Sequence, residues 1–345
     1  MSSRREELPN SALKPDGAQA PPLNTALAAM STSIAELETK IRDRINARRK
    51  QHELLSRTAD WNRLCSALDV IGDTEIGLDA YLSHAQVVDI GVRYLHVYGA
   101  LQLLQTQQDA VAEVCSALQI KPQASPKVPL VREVRSSAVA HPTYQQENKR
   151  PKSNFIVRHT LSQHGFTLFT FVSDEWPYTS RHISIPELVA LQRAALATTL
   201  SEVIAVLDEA EMHHRQQHKG EKLSNCFPSA LSYYFSKIFE AIHSPQSFPL
   251  GKIHVDLVRE CLTEMRTILE RRGEWGIHDS VDYEYELLEY PLAELNGFFT
   301  DPAASKLNDK DAYIFCAFVS EQIKTLMQIA QEIDDRYESS PADGG

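Results

Sequence analysis

Cysteine is scarce in this chain: five residues in 345, Cys65, Cys115, Cys226, Cys261 and Cys316, with no two close enough to form a CxxC pair. That scatter excludes a disulfide-stapled secreted scaffold and a zinc knuckle, and fits reduced core thiols of a cytoplasmic protein. Also missing are a Gly-rich phosphate loop of the Walker or Rossmann kind and a GxSxG elbow, which removes the common nucleotide hydrolases, dehydrogenases and serine hydrolases. No apolar stretch approaches the roughly 20 residues needed to cross a bilayer, and the first residues lack an apolar signal core, so no membrane partner is expected. Positive charge is in deficit too: 35 Lys and Arg face 46 Asp and Glu, a net charge of −11. Attraction of nucleic acid over the whole surface is thereby disfavoured, and only a local basic patch could bind phosphate. No repeat of fixed period occurs, which argues against a solenoid.

What is present is helical periodicity. Residues 1–23 mix Pro, Ser and charge and read as a disordered tail, as do residues 338–345. From Asn24 to Arg57, Leu27, Met30, Ile34, Leu37 and Ile41 fall at a and d spacing, predicting a long helix whose seam packs on its own domain or on a second copy. The basic run that follows, RDRINARRKQHELLSR, reads as a solvated helix face. A further helix is expected with Asp60 as N-cap. Asp89 starts another that is apolar over much of its circumference, a pattern that belongs in the middle of a bundle. Gly91 and Gly99 in that helix point to a close neighbour. The period then becomes extended: NFIVRHTLS and GFTLFTFVS predict a β-hairpin near 154–173, with RHISI as a third short strand. Ser184 and Glu187 fit a capping box for a helix running to about His214. The polar QHKGEKLSNC stretch marks a boundary, and 226–337 reads as helical throughout. The expected fold is mainly α: a helical bundle over 24–218 with an inserted small antiparallel β-hairpin, plus a C-terminal all-helical subdomain.

Two polar clusters invite chemical readings and give bland ones. Glu211, His214 and His218 share a helix face but have no second ligand cluster, so a solvated helix end is expected, with no metal and no cofactor. Asp279, Asp282, Glu284, Glu286 and Glu289 alternate with tyrosines and read as surface.

The stretch VREVRSSAVAHPTYQQENKRPK is more constrained. Leu130, Val131, Val134 and Ala138 form a stripe that holds a short helix on the core, with Arg132 and Arg135 on a neighbouring face. Pro142 disfavours α conformation before it, so the helix should end at His141 and leave the imidazole accessible. On an ideal helix Arg135 and His141 lie roughly 9 Å apart along the axis and about 120° apart in rotation, which one phosphodiester could bridge if the last turn loosens. Lys149, Arg150 and Lys152 follow as a phosphate-guiding loop. Arginine binds phosphate oxygens with a fixed fork, and histidine can exchange a proton near neutral pH. The same residues can equally pair with carboxylates such as Glu133 and cap a helix C-terminus.

Arg135 to His141, RSSAVAH, resembles the R-x(4–6)-H signature of HEPN domains, a helical-bundle superfamily that includes metal-independent ribonucleases of toxin and antiviral defence systems. The resemblance covers about Asp60 to His218 and leaves the C-terminal helices unmatched. It implies that Arg135 orients the scissile phosphate, that His141 is general acid or base, and that Ser136, standing where many members carry Asn, supports them by hydrogen bonding. It implies further RNA or nucleotide as ligand, a homodimer that brings two motifs together, and an antitoxin or other protein partner. A noncatalytic helical interaction or nucleotide-binding module is the alternative.

Overall fold

The computed structural model describes residues 32–84, 88–147, 150–172 and 178–338. Leu27, Met30, Lys149, the N-terminal tail and residues 339–345 lie outside the described residues. The chain is mainly α with one small antiparallel sheet. An N-terminal bundle is formed by α1 (Ile34–Ile45), α2 (Arg48–Leu55), α3 (Thr58–Ser83), α4 (Ile90–Ala117), α5 (Pro129–Arg135) and α6 (Ile185–His218). Between α5 and α6 run β1 (Gln145–Glu147), β2 (Arg150–Ile156), β3 (Gly165–Val172) and β4 (Thr179–Ser184), paired in that order. α7 (Leu231–Ile242), α8 (Phe248–Arg271), α9 (Asp279–Thr300) and α10 (Asp309–Glu338) follow.

The expected long first helix is broken. α1 starts on a closed capping box between Ser33 and Glu36 but ends at Asn46, and α3 begins after Arg57, with Asp60 inside its first turn rather than capping it. The described part of the seam turns inward: Ile34, Leu37 and Ile41 are buried with Leu68 of α3, Val111 of α4 and Leu200 of α6. These residues are spent on the chain's own core. The basic run is interlocked rather than merely solvated. Arg42 reaches Asp69 at 2.7 Å, Arg44 reaches Asp208 at 2.7 Å and Arg49 reaches Glu211 at 2.5 Å.

Asp89 caps α4 as expected, accepting from Val92 N at 2.9 Å. The close approach falls elsewhere than expected. A Cβ on Gly99 would meet nothing within 4 Å, and one on Gly91 only the side chain of Asp89, whereas one on Gly77 of α3 would lie 2.7 Å from Leu103 Cδ1 of α4. α6 runs one turn past its expected end, opened by Ser184 Oγ accepting from Glu187 N at 3.5 Å. The helical run from Ile185 holds an 18-residue window of mean hydropathy 1.3, long and apolar enough by composition to cross a membrane. Core helices of globular proteins pass the same test, and Leu188, Leu196, Leu200 and Val203 of α6 are buried in the bundle.

The hairpin is a four-stranded meander. Phe155 faces Phe169 across β2 and β3, and Thr167 faces His182 across β3 and β4. β2 stops at Ile156, and a single 3-10 turn, Arg158–Thr160, occupies what the pattern predicts as its second half. The inner face, with Phe166, Leu168 and Ile183, packs with Val131, Val134 and Ala138, which anchors the sheet over the end of α5.

The C-terminal helices enclose a separate core that includes Phe235, Met265, Leu288, Cys316 and Ile323. Its junction with the bundle is polar: His214 Nε2 lies 2.9 Å from Arg272 O, and within the C-terminal helices the same arginine's Nη2 lies 3.4 Å from Asp334 Oδ1. Burial pushes the thiols of Cys115 up to about 11 and of Cys226 and Cys316 up to about 12. Four of the five cysteines are buried and Cys65 is half-buried, all as free thiols. A thiol reagent at pH 8 should therefore modify Cys65 first in the native protein and all five only in denaturant; fast labelling of Cys316 would contradict this packing. One acidic residue expected on the surface is not there. Glu284 is buried, its Oε2 has no hydrogen-bond partner among the described residues, and burial raises its pKa. Its charge destabilises the fold above its folded pKa and costs nothing once it is protonated. Glu284→Gln should thus stabilise by about 1 kcal/mol at pH 7, a gain that thermal melts should show fading as pH falls through the raised folded pKa and essentially gone below the ordinary value of 4.5.

Candidate functional site

The end of α5 is a short element made by local rules. Pro129 sits at its start, where a missing N–H costs nothing. Val131, Val134 and Ala138 face the core, while Leu130 is 39% exposed, so the stripe is one residue narrower than expected. Beyond Arg135 the helix widens: Ser136–Ala140 is a π turn closed by His141 N donating to Ser136 O at 2.9 Å. The ideal α spacing between Arg135 and His141 therefore does not hold. A π turn rises less per residue, which shortens the axial separation. His141 ends the helix as Pro142 requires, and its side chain is exposed. Strand β2 holds the segment beyond it, with Asn154 N donating to Pro142 O at 2.6 Å and Ser153 Oγ to Thr143 O at 2.9 Å.

The two arginines on this helix have different environments. Arg132 Nη2 is ion-paired with Asp109, and its Nε donates to Gln108 Oε1 at 2.9 Å. From there an amide relay crosses the core. Gln108 Nε2 donates to Gln192 Oε1 at 2.6 Å, Gln192 Nε2 to Gln107 Oε1 at 2.7 Å, and Gln107 Nε2 to Glu75 Oε1 at 2.6 Å. All three glutamines are fully buried, and every dipole runs from the cation toward the carboxylate, so each bond polarises the next. Burial pushes the Asp109 carboxyl up, but hydrogen bonds from Gln105 and Arg132 outweigh it and hold the group below its ordinary range. Arg132 is thus paired within the scaffold. Arg135 has no carboxylate partner among the described residues; its Nη2 and Nε share one neutral acceptor, Gln102 Oε1, at 2.8 and 3.3 Å. Glu133, the expected competitor, pairs instead with Arg181 at 3.1 Å.

Around Arg135 the sheet edge closes in. Ser136 Oγ accepts from Gln145 Nε2 at 3.1 Å, tying the π turn to β1. Lys152 stands directly across from Gln145, so both project from the inner side of the β1–β2 edge, and Arg150 opens the same strand. Asn154, next on that face, is buried; its Oδ1 accepts from Thr170 Oγ1 at 2.8 Å, while its Nδ2 has no partner among the described residues. Gln102, Gln145 and Asn154 escape a reading of the sequence. Gln102 is one of several glutamines on α4, and QQE lacks the β-branched and aromatic residues that mark a strand.

The other polar clusters are occupied internally. A cleft of about 540 Å³ is lined by Arg49, His52, His214, His218, Arg271 and Arg272, among others. Its arginines are matched by Glu211, Glu221 and Asp334. Glu211 is held by Arg49 and Arg215, and His218 Nδ1 lies 3.2 Å from Glu221. Among the described residues no three His, Cys, Asp or Glu side chains gather as a metal site. Compared with known proteins, the chain matches no family model, no curated protein and no solved structure.

Proposed function

We propose that the chain is a cytoplasmic, metal-independent endoribonuclease or toxin-like defence protein of HEPN type. The observation that carries this reading is Arg135, a cation that among the described residues pairs only to a neutral amide, at the same helix end as an exposed histidine. A phosphate offers that guanidinium the charge partner that Gln102 does not. Ser136 Oγ accepts from Gln145 Nε2, and Lys152 stands across from Gln145 in the β1–β2 pair, which supports a shared polar edge beside Arg135. In the proposed step the 2′-oxygen attacks phosphorus as its proton is removed. The P–O5′ bond breaks as the 5′-oxygen gains a proton, leaving a 2′,3′-cyclic phosphate and a 5′-hydroxyl. His141 serves one of these transfers. A second motif from another copy would serve the other, through a face other than the described part of the α1 seam. Incubation with mixed RNA in EDTA should yield fragments with those two ends. Absence of cleavage would return the chain to a noncatalytic interaction or nucleotide-binding module, and cleavage that EDTA abolishes but His141→Ala leaves intact would move the chemistry to Glu211, His214 and His218.

A further inference from the structure

Strand β2 has two faces. Its even-numbered residues look toward the π turn and the core. The odd-numbered Phe155 looks outward, together with Phe169 and Phe171 of β3, the first directly across from it in register. Phe155, Phe171 and Tyr178 are 47, 38 and 40% exposed, although the inner face of the same sheet is fully packed. The rings form one continuous set. Phe155 stacks on Phe169 at 5.4 Å between centroids and on Phe171 at 5.7 Å, both within about 20° of parallel, and Tyr178 lies 4.8 Å from Phe169. Folding does not require such rings at the surface, where exposed apolar area has a cost.

We propose that this outer face is a stacking platform for the bases of single-stranded RNA. This rests on the reading of RNA as the chain's ligand and extends it from the phosphate to the bases. Aromatic faces take unpaired bases of any sequence, and a sheet holds several such faces at a fixed height. The neighbouring outward positions carry Thr167, Ser180 and His182, which suit polar base edges better than an apolar protein segment. Charge favours a polyanion here at Arg158. Arg158, in the turn leaving β2, is exposed and has no ion pair among the described residues. The segment after His141 runs along the edge of the same strand, with Asn154 N donating to Pro142 O at 2.6 Å.

Fluorescence anisotropy with a labelled 12-nucleotide poly(U) RNA, in the full-length His141→Ala protein so that the probe stays intact, tests this directly. Phe155→Ala/Phe171→Ala should weaken binding by about tenfold or more, whereas Phe155→Tyr/Phe171→Tyr, which keeps both ring faces, should bind as the parent does. Arg158→Ala should flatten the dependence of affinity on salt. Equal binding by the alanine and tyrosine pairs overturns the platform. It is also overturned if the alanine pair only dissociates an oligomer seen by light scattering while RNA affinity stays constant, which would make this a self-association face. The two readings fail separately: binding that needs the rings without cleavage by the parent protein removes the nuclease and keeps the platform, and cleavage indifferent to the rings does the reverse.

Discussion

His141→Ala is expected to lower RNA cleavage by about 10²–10⁴-fold, the range lost when a positioned general acid or base is removed. Its thermal midpoint should hold, because the imidazole is exposed at the end of the helix. Arg135→Ala should match it in cleavage and again preserve the midpoint, since its one described acceptor is a neutral amide. Arg132→Ala, three residues earlier on the same helix, should instead lower the midpoint, because it leaves Asp109 unpaired and Gln108 at the end of an open relay. The contrast between adjacent arginines is the sharpest check on the site: a fall in midpoint for Arg135→Ala as large as for Arg132→Ala would assign both to the scaffold. Endpoint labelling and differential scanning calorimetry on the same preparations separate the two effects.

Asp334→Ala should be the most destabilising single change at the C-terminal junction. The carboxylate accepts from Leu223 N and Ser224 N, each at 2.9 Å, and faces Arg272 Nη2, with both charged side chains no more than 2% exposed. Removing it leaves a buried guanidinium and two backbone donors without their acceptor, a loss of about 3–5 kcal/mol. The thermal midpoint should fall by on the order of 10 °C. Replacing both partners, Arg272→Met with Asp334→Leu, should recover the part of the loss due to the unpaired guanidinium and leave the part due to Leu223 N and Ser224 N, because breaking a buried pair costs more than removing it. A midpoint unchanged in Asp334→Ala would show that the pair is not buried in solution. Acid should act on the same junction. Burial pushes Glu274 up, but the nearby His278 imidazole, 3.9 Å away, and the hydrogen bond from Tyr337 Oη at 2.8 Å outweigh it and hold its carboxyl below the ordinary value of 4.5. A folded pKa below the unfolded one stabilises above that ordinary value, and the contribution is lost as pH falls through the folded pKa, so melts should weaken from about pH 4.5 downward.

Much of the fold can be read from short-range patterns. Val131, Val134 and Ala138 recur at helical spacing and are buried; Phe166 and Leu168 alternate with Phe169 and Phe171 and divide between the two faces of β3. The helix end at His141 is equally local, a steric effect of Pro142 on its neighbour. Features that depend on distant residues are not legible in this way. QQE becomes a strand because Lys152 and Pro151 pair with it. The α1 seam, which a coiled-coil pattern leaves open to either partner, is filled by α3, α4 and α6 of the same chain.

The sequence by itself determined most of the helices, the stop at His141 and the concentration of basic residues around it, because rotamer, proline and hydrophobic-period effects act over a few residues. Only the tertiary structure decided which of two arginines three positions apart keeps an unmatched charge. Electrostatic pairing ignores chain distance: Asp109 and the glutamine relay reach Arg132 from other helices, while among the described residues Arg135 pairs only with Gln102. The tertiary fold also spread the phenylalanines of two strands into one exposed aromatic surface, a product of strand register that no single segment contains.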